Sequence, residues 1–103
     1  MNRAIAFQEA RRVKRDEVFR RTTISIDSRP AVRAIVVDIS PLGCMVRCDA
    51  AAGQGMTLAV DLPGLGNVAG TVAWSIMGRI GVEFANPIAE SLYEPLLEAL
   101  QPL

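Results

Sequence analysis

The sequence predicts a mainly β domain in which six short strands form an antiparallel barrel or sandwich. A basic segment precedes the first strand and an amphipathic helix follows the last. Three observations lead there. Apolar and polar residues alternate with a period of two in several short stretches, most clearly over residues 56–62. Clusters of Gly, Pro, Asn, Asp and Ser separate these stretches at near-regular spacing. No helical apolar pattern recurs between strands, so the crossover helices of a parallel sheet are missing.

Residues 1–10 have mild helical propensity and only Ile5 and Phe7 as sizeable apolar groups after Met1, so they are expected to be frayed or weakly docked. Residues 11–21 are dense in charge and extend this flexible basic segment over residues 1–21, with Val18 and Phe19 as possible anchors. Thr22 to Ile26 alternates polar and β-branched apolar residues and reads as the first strand. Asp27-Ser28-Arg29-Pro30 is turn chemistry, and Val32 to Ile39 reads as a strand buried on much of both faces.

In the third strand Cys44, Val46 and Cys48 share one face while Met45 and Arg47 take the other. After a small-residue loop, Met56, Leu58, Val60 and Leu62 line one face of the fourth strand. Pro63-Gly64-Leu65-Gly66-Asn67 turns the chain, and Val68, Gly70, Val72 and Trp74 are expected on one face of the fifth strand. Met77-Gly78 is a tight connection into a sixth strand carrying Ile80, Val82 and Phe84. Asn86-Pro87 offers a helix cap followed by proline at the first helical position. Ile88, Leu92, Leu96 and Leu100 then recur as a stripe that should lie on the sheet, with Pro95 introducing a kink or a restart. The result is one domain over residues 1–103: the basic segment (1–21), the β body (22–85) and the helix (86–101).

Composition removes several function classes. A chain of 103 residues has material for one core. No apolar run approaches the roughly 18 residues of a membrane span, and no secretory signal precedes the fold, so a cytoplasmic location without membrane insertion is expected. Cys44 and Cys48 lie about 13 Å apart along a strand, too far for a disulfide that needs Cα atoms within about 7 Å. With no histidine, a zinc site is short of ligands. No nucleophile with an orienting base and no phosphate-cradling glycine loop is present, so the chain is expected to be a binding protein without a cofactor rather than an enzyme.

Charge is unevenly placed. Residues 1–33 hold nine Lys/Arg against four Asp/Glu, a balance of +5, and residues 34–103 hold two against seven, a balance of −5. A basic leader on an acidic body points to an anionic ligand near the N-terminus, or to docking of the leader on its own body. Two segments carry the chemistry. Arg11-Arg12-Val13-Lys14-Arg15 places arginines four apart, and guanidinium groups fork onto phosphate oxygens and stack on bases. Asp38-Ile39-Ser40-Pro41-Leu42-Gly43 sets an acid, a hydroxyl and a glycine at fixed offsets between two strands. A carboxylate accepts the donor edge of guanine, and glycine permits backbone arrangements that a side chain blocks. Either pattern alone is common, and Arg29 with Arg33 repeats the first one at the wrong distance from Asp38.

Together and in this order, the two segments resemble the PilZ domain, a bacterial receptor for cyclic di-GMP. Arg11 and Arg15 fit its Arg-x-x-x-Arg motif, with Arg12 as the frequent doubled arginine, and Asp38, Ser40 and Gly43 fit its Asp/Asn-x-Ser-x-x-Gly motif. Gly81-Val82-Glu83-Phe84 is similar to the family's closing strand, and the likeness spans roughly residues 9 to 100. The resemblance implies a six-stranded antiparallel β-barrel of the split PilZ type with the C-terminal α-helix beside it. It implies that Arg11 and Arg15 contact phosphate and stack on guanine, with Arg12 auxiliary. Asp38 and Ser40 would bond a guanine edge or the ligand backbone, and Gly43 would keep the turn open. Pro41-Leu42 departs from the small pair common inside the motif, stiffening the turn and adding bulk; Asp16 and Glu17 stand ready to neutralise Arg15.

The expected function is therefore a cyclic di-GMP receptor that reorders its arginine segment on binding and signals to a downstream protein. The alternative is a ligand-independent adaptor acting through its leucine-rich tail. A barrel for single-stranded DNA or RNA is not expected, because only five aromatics are present and Trp74 and Phe84 are assigned to the core.

Overall fold

A computed structural model describes residues 14–101. Arg11, Arg12 and the expected fraying of residues 1–10 lie outside the described residues. Six strands appear in chain order: β1 (Asp16–Ile26), β2 (Val32–Ser40), β3 (Gly43–Arg47), β4 (Thr57–Leu62), β5 (Gly66–Ile76) and β6 (Arg79–Phe84). One helix follows, α1 (Glu90–Leu100). The strands close into a barrel in the order β1-β2-β3-β6-β5-β4, every neighbouring pair antiparallel, with β4 returning to β1. Closure decides between barrel and sandwich and leaves no unpaired edge.

Period-two alternation explains the core. Ile24, Val36, Val46, Val60, Val72 and Ile80 point inward and are essentially solvent-free. Cys44 on β3 and Cys48, one residue past its end, are buried, free thiols. The turns follow their residues. Asp27 and Ser28 take positive φ between β1 and β2, and Met77 with Gly78 does so between β5 and β6, the two-residue pattern that matches strand twist. Pro63-Gly64 turns with φ +79° at glycine.

Four expectations are corrected. Strand β1 begins at Asp16, so residues 16–21 belong to the barrel and not to a flexible segment. Charge on these residues does not oppose a strand, because the outer face meets water: Glu17 and Arg21 stay exposed while Val18 is buried. Trp74 is not core but 39% exposed. The β5–β6 register shifts between Val72 and Trp74, and this one-residue irregularity turns the indole to the outer face.

The helix starts at Glu90 rather than at Asn86-Pro87, with Ala89 at its cap and no side-chain capping bond. Residues 85–88 instead continue the pairing of β6, where Ala85 N–H donates to the Ala69 carbonyl and Ile88 N–H to that of Pro41. Leu92 is 48% exposed, so the buried helical face is built by Leu96 and Leu100 with Tyr93 and Leu97 beside them. The helix runs through Pro95 as one element, and an Arg20 guanidinium nitrogen donates to the Ala99 carbonyl near its C-terminal end. Among the described residues, no helix is long and apolar enough to cross a membrane.

Candidate ligand site on the outer face of the barrel

Two-residue hairpin geometry places the Asp38 to Gly43 stretch. β2 runs to Ser40, Pro41 and Leu42 make the turn, and β3 restarts at Gly43, which pairs with Ser40. Both turn carbonyls are occupied: Leu42 accepts from Phe84 N–H at 2.9 Å and Pro41 from Ile88 N–H at 2.8 Å. The turn is thus pinned to the end of β6 and to the chain entering α1.

Asp38 lies two residues before this turn, beside the start of β1, where it pairs with Glu17. Arg15, just before β1, reaches across to it. Its Nε donates to Asp38 Oδ1 at 2.8 Å, and its Nη2 donates to the same oxygen. Arg15 is half-exposed, while the Asp38 side chain retains 19% of its surface. The carboxylate that neutralises Arg15 is therefore Asp38, not Asp16 or Glu17; Asp16 instead pairs with Lys14 at 3.7 Å. Arg15 and Asp38, expected at one site, are in direct contact.

Ser40 and Gly43 are brought to the same hairpin in a different capacity. Ser40 is buried, and its Oγ accepts a hydrogen bond from Leu42 N–H at 3.2 Å, fixing the turn from below. Gly43 is needed for close approach rather than for an unusual φ. A Cβ placed there would lie 2.1 Å from the Val82 carbonyl oxygen on β6. Beneath the site the Cys44 thiol is pushed up to about 12, first by burial; the Arg15 charge opposes this and Asp38 adds to it.

Two residues that sequence patterning did not single out for the site complete its surroundings. The hydroxyl of Tyr93 on α1 lies 2.7 Å from Asp16 Oδ2 and 3.0 Å from the Ile39 carbonyl, so the helix is moored to the neighbours of both Arg15 and Asp38. Burial, reinforced by the Asp16 carboxylate, raises the ionisation of this phenol well above its ordinary range. The second is Trp74. Asp38 pairs with Met45, Met45 with Gly81 and Gly81 with Trp74, one transverse row across β2, β3, β6 and β5. The indole covers Gly81, where a Cβ would lie 2.3 Å from the ring. At about 4.8 Å per strand, its ring lies roughly 10 Å from Asp38. The signal available in the sequence was a glycine opposite an aromatic across a hairpin, which cannot be read until the register is known.

A shallow groove of about 340 Å³ opens between Asp38, Met45 and Phe19. Arg47 and Arg79 also line it, so two guanidinium groups, a carboxylate, a thioether and the Phe19 ring share one outer face. Among the described residues, no cluster of potential metal ligands is present.

A family model described as PilZ domain matches residues 9–101. No curated protein matches the chain.

Proposed function

The chain belongs to the PilZ domain family, and from that premise we propose that it is a cyclic di-GMP receptor built on the Arg15–Asp38 pair. In the free protein the fork of Arg15 is closed on one carboxylate oxygen. A phosphodiester offers the same guanidinium a bidentate anionic partner, and the Asp38 carboxylate then becomes available to the N–H donors on the guanine edge. The ion pair is exchanged for two new polar contacts, and neither charge is left unpaired. Arg11 and Arg12 add positive charge from the preceding segment, which binding draws onto the barrel. Ser40 and Gly43 act one step back, holding the turn so that Asp38 stays beside Arg15. The plane of Trp74 gives a base a surface to stack on. Reordering of residues 11–15 changes the surface offered to a downstream protein.

What carries this reading is the contact between Arg15 and Asp38 on an open outer face. Isothermal titration of the full chain with cyclic di-GMP, with GMP and GTP as controls, tests it. Micromolar or tighter binding of cyclic di-GMP, with one or two molecules per chain, is expected. Absence of heat, or equal affinity for GTP, overturns the assignment.

A further inference from the structure

We propose that a second stretch of the barrel surface is a docking groove for an acidic protein segment that carries an apolar side chain. The groove holds about 880 Å³ and is lined by Arg21, Arg33, Arg47 and Arg79 among others. Strand register creates it. Ile35 pairs with Arg21 on one side and Arg47 on the other, and Arg47 pairs with Arg79. Arg33 stands two residues from Ile35 on the same strand and the same outer face. Among the described residues none of the four forms an ion pair, since the pairs present are Lys14–Asp16 and Arg15–Asp38. Arg47 and Arg79 are like charges directly opposite each other, a cross-strand arrangement that destabilises a sheet unless an anion covers it.

The apolar half lies beside the arginines at the tip of the β5–β6 hairpin. Ile76 is 61% exposed and Met77 97% exposed. Met77 has φ 48° at the first central position of the turn, where Asn, Asp or Gly is favoured. Its backbone and its solvation both disfavour methionine there. A flexible thioether bordering a guanidinium-lined groove suits a partner that supplies carboxylates and an apolar side chain together.

The alternatives fit less well. The site is a groove rather than a flat patch, and Asp49 and Asp61 lie along it. Those two carboxylates repel an anionic bilayer or a nucleic-acid backbone, both of which present phosphate over the whole contact. A peptide places its charges only where the arginines are. Arg47 and Arg79 also border the shallow groove at Asp38, so the two surfaces adjoin, whereas Met77 borders only this one. Peptide binding is therefore measured without cyclic di-GMP, and the Met77 variant separates the two readings.

The test uses the full chain and a fluorescein-labelled peptide rich in glutamate with a central leucine, read by anisotropy. A second peptide replaces the leucine with serine, and phosphatidylglycerol vesicles provide the lipid arm. The parent peptide is expected to bind, the serine peptide several-fold more weakly. The double variant R47E/R79E should weaken the parent peptide at least about tenfold. Met77→Asn should weaken it several-fold while raising the melting temperature, because asparagine suits the turn, so loss of folding cannot account for the result. The proposal is overturned if either variant binds like the wild type or the serine peptide matches the parent. It is equally overturned if vesicles bind the protein and the peptide does not, or if sedimentation shows a second copy of the chain occupying the groove.

Discussion

Arg15 closes both Nε and Nη2 onto a single oxygen of Asp38, so two segments 23 positions apart in sequence are in direct contact. The pair is half-exposed, and ion pairs of that kind contribute about 1 kcal/mol or less to folding. Its removal should therefore cost the fold little. Arg15→Ala should leave the melting temperature within a few degrees of wild type and reduce cyclic di-GMP affinity at least ~100-fold, because a charge-assisted fork on phosphate is lost. In the proposed binding mode, Asp38→Ala leaves the arginines free to hold phosphate and removes the acceptor for guanine. It should therefore narrow the preference for cyclic di-GMP over cyclic di-AMP. Full discrimination in that variant would remove Asp38 from base recognition.

Gly43→Ala separates a packing role from a ligand role. The added methyl meets the Val82 carbonyl, a backbone atom that cannot rotate away, so β3 and β6 must part. A loss of roughly 2–4 kcal/mol in chemical denaturation is expected, with cyclic di-GMP recovering part of it by mass action. A variant as stable as wild type would show that the two strands have slack.

Much of this fold was legible because barrel strands obey a two-residue period and their turns announce themselves with Gly, Pro and Asp. Asp38, Ser40 and Gly43 were legible as a unit, lying within six residues of one hairpin. What escaped detection depended on register and pairing. A single irregularity before Trp74 reverses its face, and nothing in the local residues marks it. Charge on residues 16–21 obscured a strand whose outer face is wet. Asn86-Pro87 has the residues of a helix start, but its neighbours' N–H groups found partners at Ala69 and Pro41 first.

Alkaline pH should erode stability through Cys44. Its thiol is raised from 9.0 to about 12 in the folded protein by burial, whereas the unfolded chain ionises at the ordinary value. From about pH 9 upward the unfolded state sheds a proton that the native state keeps. The contribution is therefore whole below pH 9 and falls as pH rises, by up to about 1.4 kcal/mol per unit. Denaturation midpoints measured from pH 8 to pH 10.5 should decline more shallowly in Cys44→Ala than in wild type, whatever the offset from the lost sulfur. Parallel curves would contradict the burial argument.

Tyr93 ties α1 to the base of the site, and Tyr93→Phe isolates that tie. The ring stays and only the hydroxyl between Asp16 and the Ile39 carbonyl is removed. A cost of about 1 kcal/mol, or several degrees in melting temperature, is expected. Cyclic di-GMP affinity should stay within a few-fold, since neither Arg15 nor Asp38 is touched. A large affinity loss at unchanged stability would show that the helix positions the ligand directly.

Trp74 is the single tryptophan of the chain, so its fluorescence reports one place on the barrel. Its ring rests on Gly81, in the same cross-strand row as Asp38 and Met45. A guanine stacked on the exposed indole should quench the emission in step with the calorimetric isotherm, and Trp74→Ala should weaken binding by about 1–3 kcal/mol, the usual worth of a base–aromatic stack. Gly81→Ala probes the same contact from beneath. Its methyl would collide with the indole rather than with backbone, so the ring is displaced while the strands remain paired. That variant should fold, shift the emission of the free protein and bind more weakly. If emission ignores cyclic di-GMP while calorimetry records binding, the ligand stays on the Arg15 side of Met45 and the indole has another use.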